Sequence, residues 1–161
     1  MRWDRLFEDV EASAADAVAD ERDALAEELG AEAWAELSWG DLLSGEVVLI
    51  VQGVGEVRGE VGWSSSDLVV LSGGAQDLIV ARVAVMSAIT SGRGGGRLRR
   101  IGWSSIFRSV AEEAQEVQLV RRDGGIVFGR VAAVLADAVV LAEQGRRTVI
   151  PWTALAMVRP H

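Results

Sequence analysis

The 161 residues include no cysteine, lysine, asparagine or tyrosine, a single histidine at position 161, and a net charge of −8, with half of the side chains apolar. This composition excludes a disulfide scaffold, a thiolate nucleophile and a Cys-based metal site, while leaving enough apolar side chains for a core. The acidity is concentrated at the front: residues 1–44 hold 13 acids and 3 arginines (net −10), whereas residues 45–161 hold 11 acids and 13 arginines (net +2).

Residues 3–29 lack Pro and Gly, are rich in Ala, and stop before Gly30. That pattern predicts a helix of roughly 40 Å, with Trp3, Leu6, Phe7, Val10 and further apolar residues forming a stripe. Such a helix either folds back on the rest of the chain or pairs with a partner, and Trp3, Phe7 and Val10 are the candidate partner-binding residues. Its polar face is acidic, which disfavours a membrane surface. The chain has no long apolar run, and its start, MRWDRLFEDVEAS, lacks the apolar stretch of a secretory signal. No transmembrane helix is therefore expected, and the expected location is cytoplasmic. Residues 31–44 predict a second, shorter helical piece, weakened by Gly40.

From residue 45 onward the chain repeats itself. Residues 45–89 align without a gap on residues 115–159, and 12 of the 45 pairs are identical, among them Gly59/Gly129, Asp67/Asp137 and the Val-Val-Leu runs at 69–71 and 139–141. A fixed period of this kind signals a duplicated structural unit. Alternation and apolar runs between turns predict strands at 46–52, 56–63, 67–71, 77–82 and 84–89, and again at 116–122, 126–134, 138–142, 147–151 and 153–158. Asp123-Gly124-Gly125 is a hairpin signal, and Gly59 and Gly129 mark bends inside the second strand of each copy. Residues 103–113 predict a short helix before the second copy, with Ile106, Phe107 and Val110 on its apolar side. Between the copies, residues 90–100 (TSGRGGGRLRR) form a flexible linker. No acid occurs from Leu78 to Ala111, while six arginines do.

The implied organisation is an acidic helix (1–30), a first helix-plus-strands repeat (31–91), a Gly/Arg linker (92–100) and a second repeat (101–161). Units of about 45 residues are too small to cover two broad sheet faces, which predicts closed five-stranded barrels. Gln118-Leu119, Asp123-Gly124, Gly129-Arg130-Val131 and Asp137-Ala138-Val139-Val140-Leu141, echoed by Val48-Leu49, Gly59-Glu60-Val61 and Asp67-Leu68-Val69-Val70-Leu71, resemble the Sm-like fold. The chain also resembles short proteins of GC-rich Gram-positive bacteria with an acidic MRW-x-R-L-F start. The resemblance implies a mainly β protein: two tandem Sm-like or SH3-like five-stranded barrels preceded by a long amphipathic helix. It implies a single-stranded RNA site only where the family's loops are kept. The partner Asn is missing beside Asp67 and Asp137, and the basic closing turn reads Asp77-Leu78-Ile79-Val80 and Arg147-Thr148-Val149-Ile150.

Catalytic patterns are not evident. Ser64–Ser66 and Ser104–Ser105 have no internal histidine to activate them, and GRGGGR lacks the Lys-Ser/Thr of a phosphate loop. No cofactor, metal or small molecule is expected. The tryptophans at 34, 39, 63, 103 and 152 are expected to be core or helix-packing residues. The sequence therefore predicts a non-enzymatic interaction or scaffold protein that binds a protein partner or itself through the acidic helix and the barrel edges. The alternative is a nucleic-acid-binding regulator using Arg93, Arg97, Arg99 and Arg100.

Overall fold

Each repeat folds into five antiparallel strands connected in the same way. In the computed structural model, which describes residues 37–161 apart from Ala75 and Arg93, the first repeat supplies β1 (Glu46–Val51), β2 (Gly55–Ser64), β3 (Leu68–Gly73), β4 (Gln76–Ala81) and β5 (Val85–Thr90). The second supplies β6 (Glu116–Arg121), β7 (Ile126–Val134), β8 (Ala138–Glu143), β9 (Arg146–Pro151) and β10 (Leu155–Pro160). Every strand lies within two residues of its sequence-based expectation.

The two sets do not close into separate barrels. They form one ten-stranded sheet in the order β5-β1-β2-β3-β4-β10-β6-β7-β8-β9. The expectation of two tandem Sm-like or SH3-like five-stranded barrels is corrected accordingly. The fourth strand of the first repeat pairs with the last strand of the second, through Val80↔Met157 and Ile79↔Val158. Among the described residues, β5 and β9 consequently end the sheet. Period-2 patterning fixes which face of a strand is buried, but the backbone edge a strand seeks is not written in that pattern. The long helix expected over 3–29, with Trp3, Phe7 and Val10, lies outside the described residues, as does Trp34 of the shorter piece expected over 31–44.

The duplication extends to irregularities. β5 carries an extra residue, Met86, where Ile50 pairs with Ser87 and Val51 with Val85. β10 carries its equivalent, Ala156, where Val120 pairs with Met157 and Arg121 with Leu155. Gly62 and Ala132 are the matching extra residues of β2 and β7. Bulges at repeated positions bend both copies alike. Gly59 and Gly129 sit where a side chain would press on the neighbouring strand: a Cβ on Gly59 would lie 3.1 Å from Ser72 O, and one on Gly129 would lie 2.6 Å from Ala142 O.

The core follows the repeated Val/Leu positions. Leu49, Leu68, Val69 and Leu71 are fully buried, and their equivalents Leu119, Ala138, Val139 and Leu141 are buried as well. Helix α1 (Trp103–Glu112) lies against β7, with Trp103 and Phe107 on its buried side. Its start is set by Gly102 in an extended conformation, and it ends where Ala114 turns to φ 51°. Phe107 stacks between Trp103 (5.9 Å) and Trp152 (5.5 Å). In the 31–44 region the described residues hold a 3-10 turn at Trp39–Leu42 and no longer helix; Gly40 is buried there, close to the Arg82 guanidinium.

No helix of the described residues is long and apolar enough to cross a membrane.

Candidate interaction edges

The two ends of the sheet differ in chemistry. β5 belongs to a run, Val83–Gly92, without a single charged residue or proline. Val83, Met86 and Ile89 are 55%, 69% and 67% exposed. Beside the strand lies a groove of about 300 Å³ lined by Trp39, Leu42, Leu43, Val85, Met86 and Ala88. The groove is placed by the Trp39–Leu42 turn, which is held against the sheet by the Arg82 guanidinium 4.6 Å above the Trp39 ring. An unpaired strand edge offers a row of backbone donors and acceptors, and natural sheets usually blunt it with charge, proline or a bulge. On β5 the bulge at Met86 is the blunting feature; Ser87–Thr90 is regular, and all four residues pair with β1.

β9 is guarded differently. Arg146 and Arg147 open it, and Pro151 ends it without an N–H. Next to it is a cleft of about 400 Å³ lined by Gln52, Arg121, Asp123, Val149 and Thr153. Asp123 accepts from Gly125 N–H at 2.9 Å and from Arg121 Nη2 at 2.9 Å. The Gly125 N–H first, and then the Arg121 guanidinium, hold its carboxyl below the usual carboxylate range.

Inside the molecule, the first and second repeats meet where the edges of β4 and β10 pair. The turn after β6 rests on Gly53, whose Cβ, if present, would lie 2.7 Å from Arg122 O and 2.8 Å from Gly124 N. Gly53 also has φ 79°, so both its space and its backbone conformation call for glycine. Arg122 Nε donates to Gln52 Oε1 at 3.0 Å, although these two residues occupy the same position in their respective repeats.

The residues singled out from the sequence fall into separate groups. Arg97, Arg99 and Arg100 are exposed, and Arg93 lies outside the described residues. The stretch around Leu98, expected to be a free linker, is anchored: Ser64 N–H donates to Arg97 O at 2.9 Å, Arg99 N–H donates to Ser64 O at 2.8 Å, and the Arg99 guanidinium lies 5.4 Å from the Trp63 ring centre. Asp67 and Asp137 have a backbone role in both copies, their carbonyls accepting from Arg82 N–H and Trp152 N–H at 2.9 Å. Ser65 Oγ accepts from the N–H groups of Asp67 and Leu68, so it serves a turn. Trp103 is buried and Trp63 and Trp152 half-buried, as expected of packing residues, whereas Trp39 is 39% exposed at the groove. Sequence reasoning missed β5 as a sheet end. The available signal was the uncharged run Val83–Gly92 set against Arg159 and Pro160 in the equivalent strand.

Among the described residues no three His, Cys, Asp or Glu side chains gather in a metal-binding arrangement. No protein-family model and no curated protein matches this chain.

Proposed function

We propose that this chain is a non-enzymatic interaction and scaffold protein that takes a partner strand along the β5 edge. The observation carrying this reading is the combination, on one sheet end, of an uncharged strand, outward Met86 and Ile89, and an adjoining apolar groove. Strand addition uses the backbone row for affinity and neighbouring pockets for selectivity. The test compares capture of partners by the full chain with capture by Ser87→Lys and Ile89→Lys. Both side chains are exposed, so the variants keep the fold while placing charge on the edge. Loss of captured partners, or at least tenfold weaker binding, is the expected result. Unchanged binding by both variants overturns the reading.

A second reading, nucleic-acid binding, rests on the exposed Arg97, Arg99 and Arg100 within the acid-free window. Three phosphate contacts correspond to a log–log salt slope of roughly −2 to −3. Binding to RNA or DNA that is absent at low salt, or insensitive to salt, removes it.

A further inference from the structure

The interaction reading leaves the partner open; resting on it, we infer that the β5 edge is occupied by β5 of a second copy of this chain, antiparallel about a twofold axis at Ala88. Two strands of the same chain already meet edge to edge between repeats, so a first alternative is that the junction simply recurs from copy to copy, β9 receiving β5 as β4 receives β10. The residues at the free end oppose that. Gly53, on whose bare Cα the turn of the second repeat rests, is replaced by Asp123 at the equivalent position. Ala81, fully buried at the end of β4, becomes Pro151 at the end of β9. Gln76 and Asp77 become Arg146 and Arg147. The contact between repeats is thus built for one occurrence within the chain, and a recurring one would be a heterologous contact that invites open-ended growth.

β5 suits itself instead. In a twofold antiparallel pair each residue faces its mirror position, so any charge on the strand would meet a like charge or sit close to one. Val83–Gly92 contains none. Centring the axis on Ala88 opposes Ser87 with Ile89 of the second copy within the regular stretch, and brings its Thr90 beside the bulge at Met86. The small Ala88 allows close approach at the axis. The exposed surface of Met86 and Ile89, together with the groove beside Trp39 and Leu42, would be covered in both copies at once.

The natural chain contains no cysteine, which makes crosslinking directly readable. Full-length Ala88→Cys should form a disulfide-linked dimer in most of the material on mild oxidation. Thr90→Cys should not, because two residues from the axis its copies stand roughly 13 Å apart. Light scattering should give a dimer for the natural chain at tens of micromolar, with Ile89→Lys at least tenfold weaker in self-association. Crosslinking between Ala88→Cys and Val149→Cys copies, or a natural chain that stays monomeric, overturns the twofold inference. If it is monomeric while Ser87→Lys and Ile89→Lys still abolish capture of another protein, the β5 reading survives with a different occupant. If those variants change neither self-association nor capture, both fall.

Discussion

The first and second repeats build nearly the same object and then present opposite edges of it. In the interior they agree down to the hydrogen bonds: Gln52 N–H to Ala84 O at 2.8 Å is matched by Arg122 N–H to Ala154 O at 2.9 Å, and Ser65 N–H to Leu68 O at 2.9 Å by Leu135 N–H to Ala138 O at 2.8 Å. At the sheet ends they diverge, an uncharged β5 on one side and an Arg- and Pro-bearing β9 on the other. Duplication has kept what a sheet needs in order to fold and has released the residues that decide what each edge meets.

The largest expected effect tests the agreement. Leu71→Ala and Leu141→Ala empty equivalent, fully buried positions, and each should cost about 2–5 kcal/mol in chemical denaturation. Similar losses, within about 1 kcal/mol of each other, support one scaffold used twice; a large loss for one and a negligible loss for the other breaks the equivalence. The next effect tests the divergence. Gly53→Ala places a methyl group against the backbone of the second repeat at φ 79°, and should cost about 1–3 kcal/mol. Asp123→Ala, at the matching but outward position, should leave the unfolding midpoint nearly unchanged. Equal sensitivity at the two sites would mean that Gly53 is not the seat of the contact between repeats.

The smallest effect concerns Asp123 itself. Its folded carboxyl titrates below the usual carboxylate range because the Gly125 N–H and Arg121 favour the charged form. Whatever this contributes is therefore present above the unfolded carboxyl's pKa and is lost as pH falls through the lowered folded value. An NMR titration should place the Asp123 midpoint below the ordinary value of 3.8, and Arg121→Gln should raise it. A midpoint unmoved by that change would assign the shift to the Gly125 N–H alone.

Much of this fold was legible residue by residue. Alternating Val and Leu located all ten strands, Asp123-Gly124-Gly125 located a turn, and Ile106, Phe107 and Val110 located α1. Gly59 and Gly129 were legible as strand glycines because a glycine inside an apolar run needs a packing reason. The pairing of β4 with β10 was not legible, since Ile79 and Val80 would be apolar in a closed barrel as well as in a continuous sheet. Gly53 read as an ordinary turn residue; its contact with the other repeat depends on an arrangement that local patterning does not encode. Among the candidate site residues, Arg97, Arg99 and Arg100 are exposed. The anchoring of their backbone on Ser64 was not foreseeable from a Gly/Arg-rich composition.

The position of β10 also bears on the order in which the molecule can be made. β10 follows the other nine strands in the chain, yet it lies between β4 and β6 in the middle of the sheet. During synthesis the first repeat can complete its own five strands early, since β5 pairs back to β1 within 45 residues. The second repeat must wait for Leu155–Pro160, and until they emerge β4 and β6 both stand open. A nascent chain halted before residue 155 would expose two interior edges at the same time. The emergence of Leu155–Pro160 therefore decides whether two half-sheets become one, and the interval before it is the one in which these strands would be most exposed to mispairing with their neighbours.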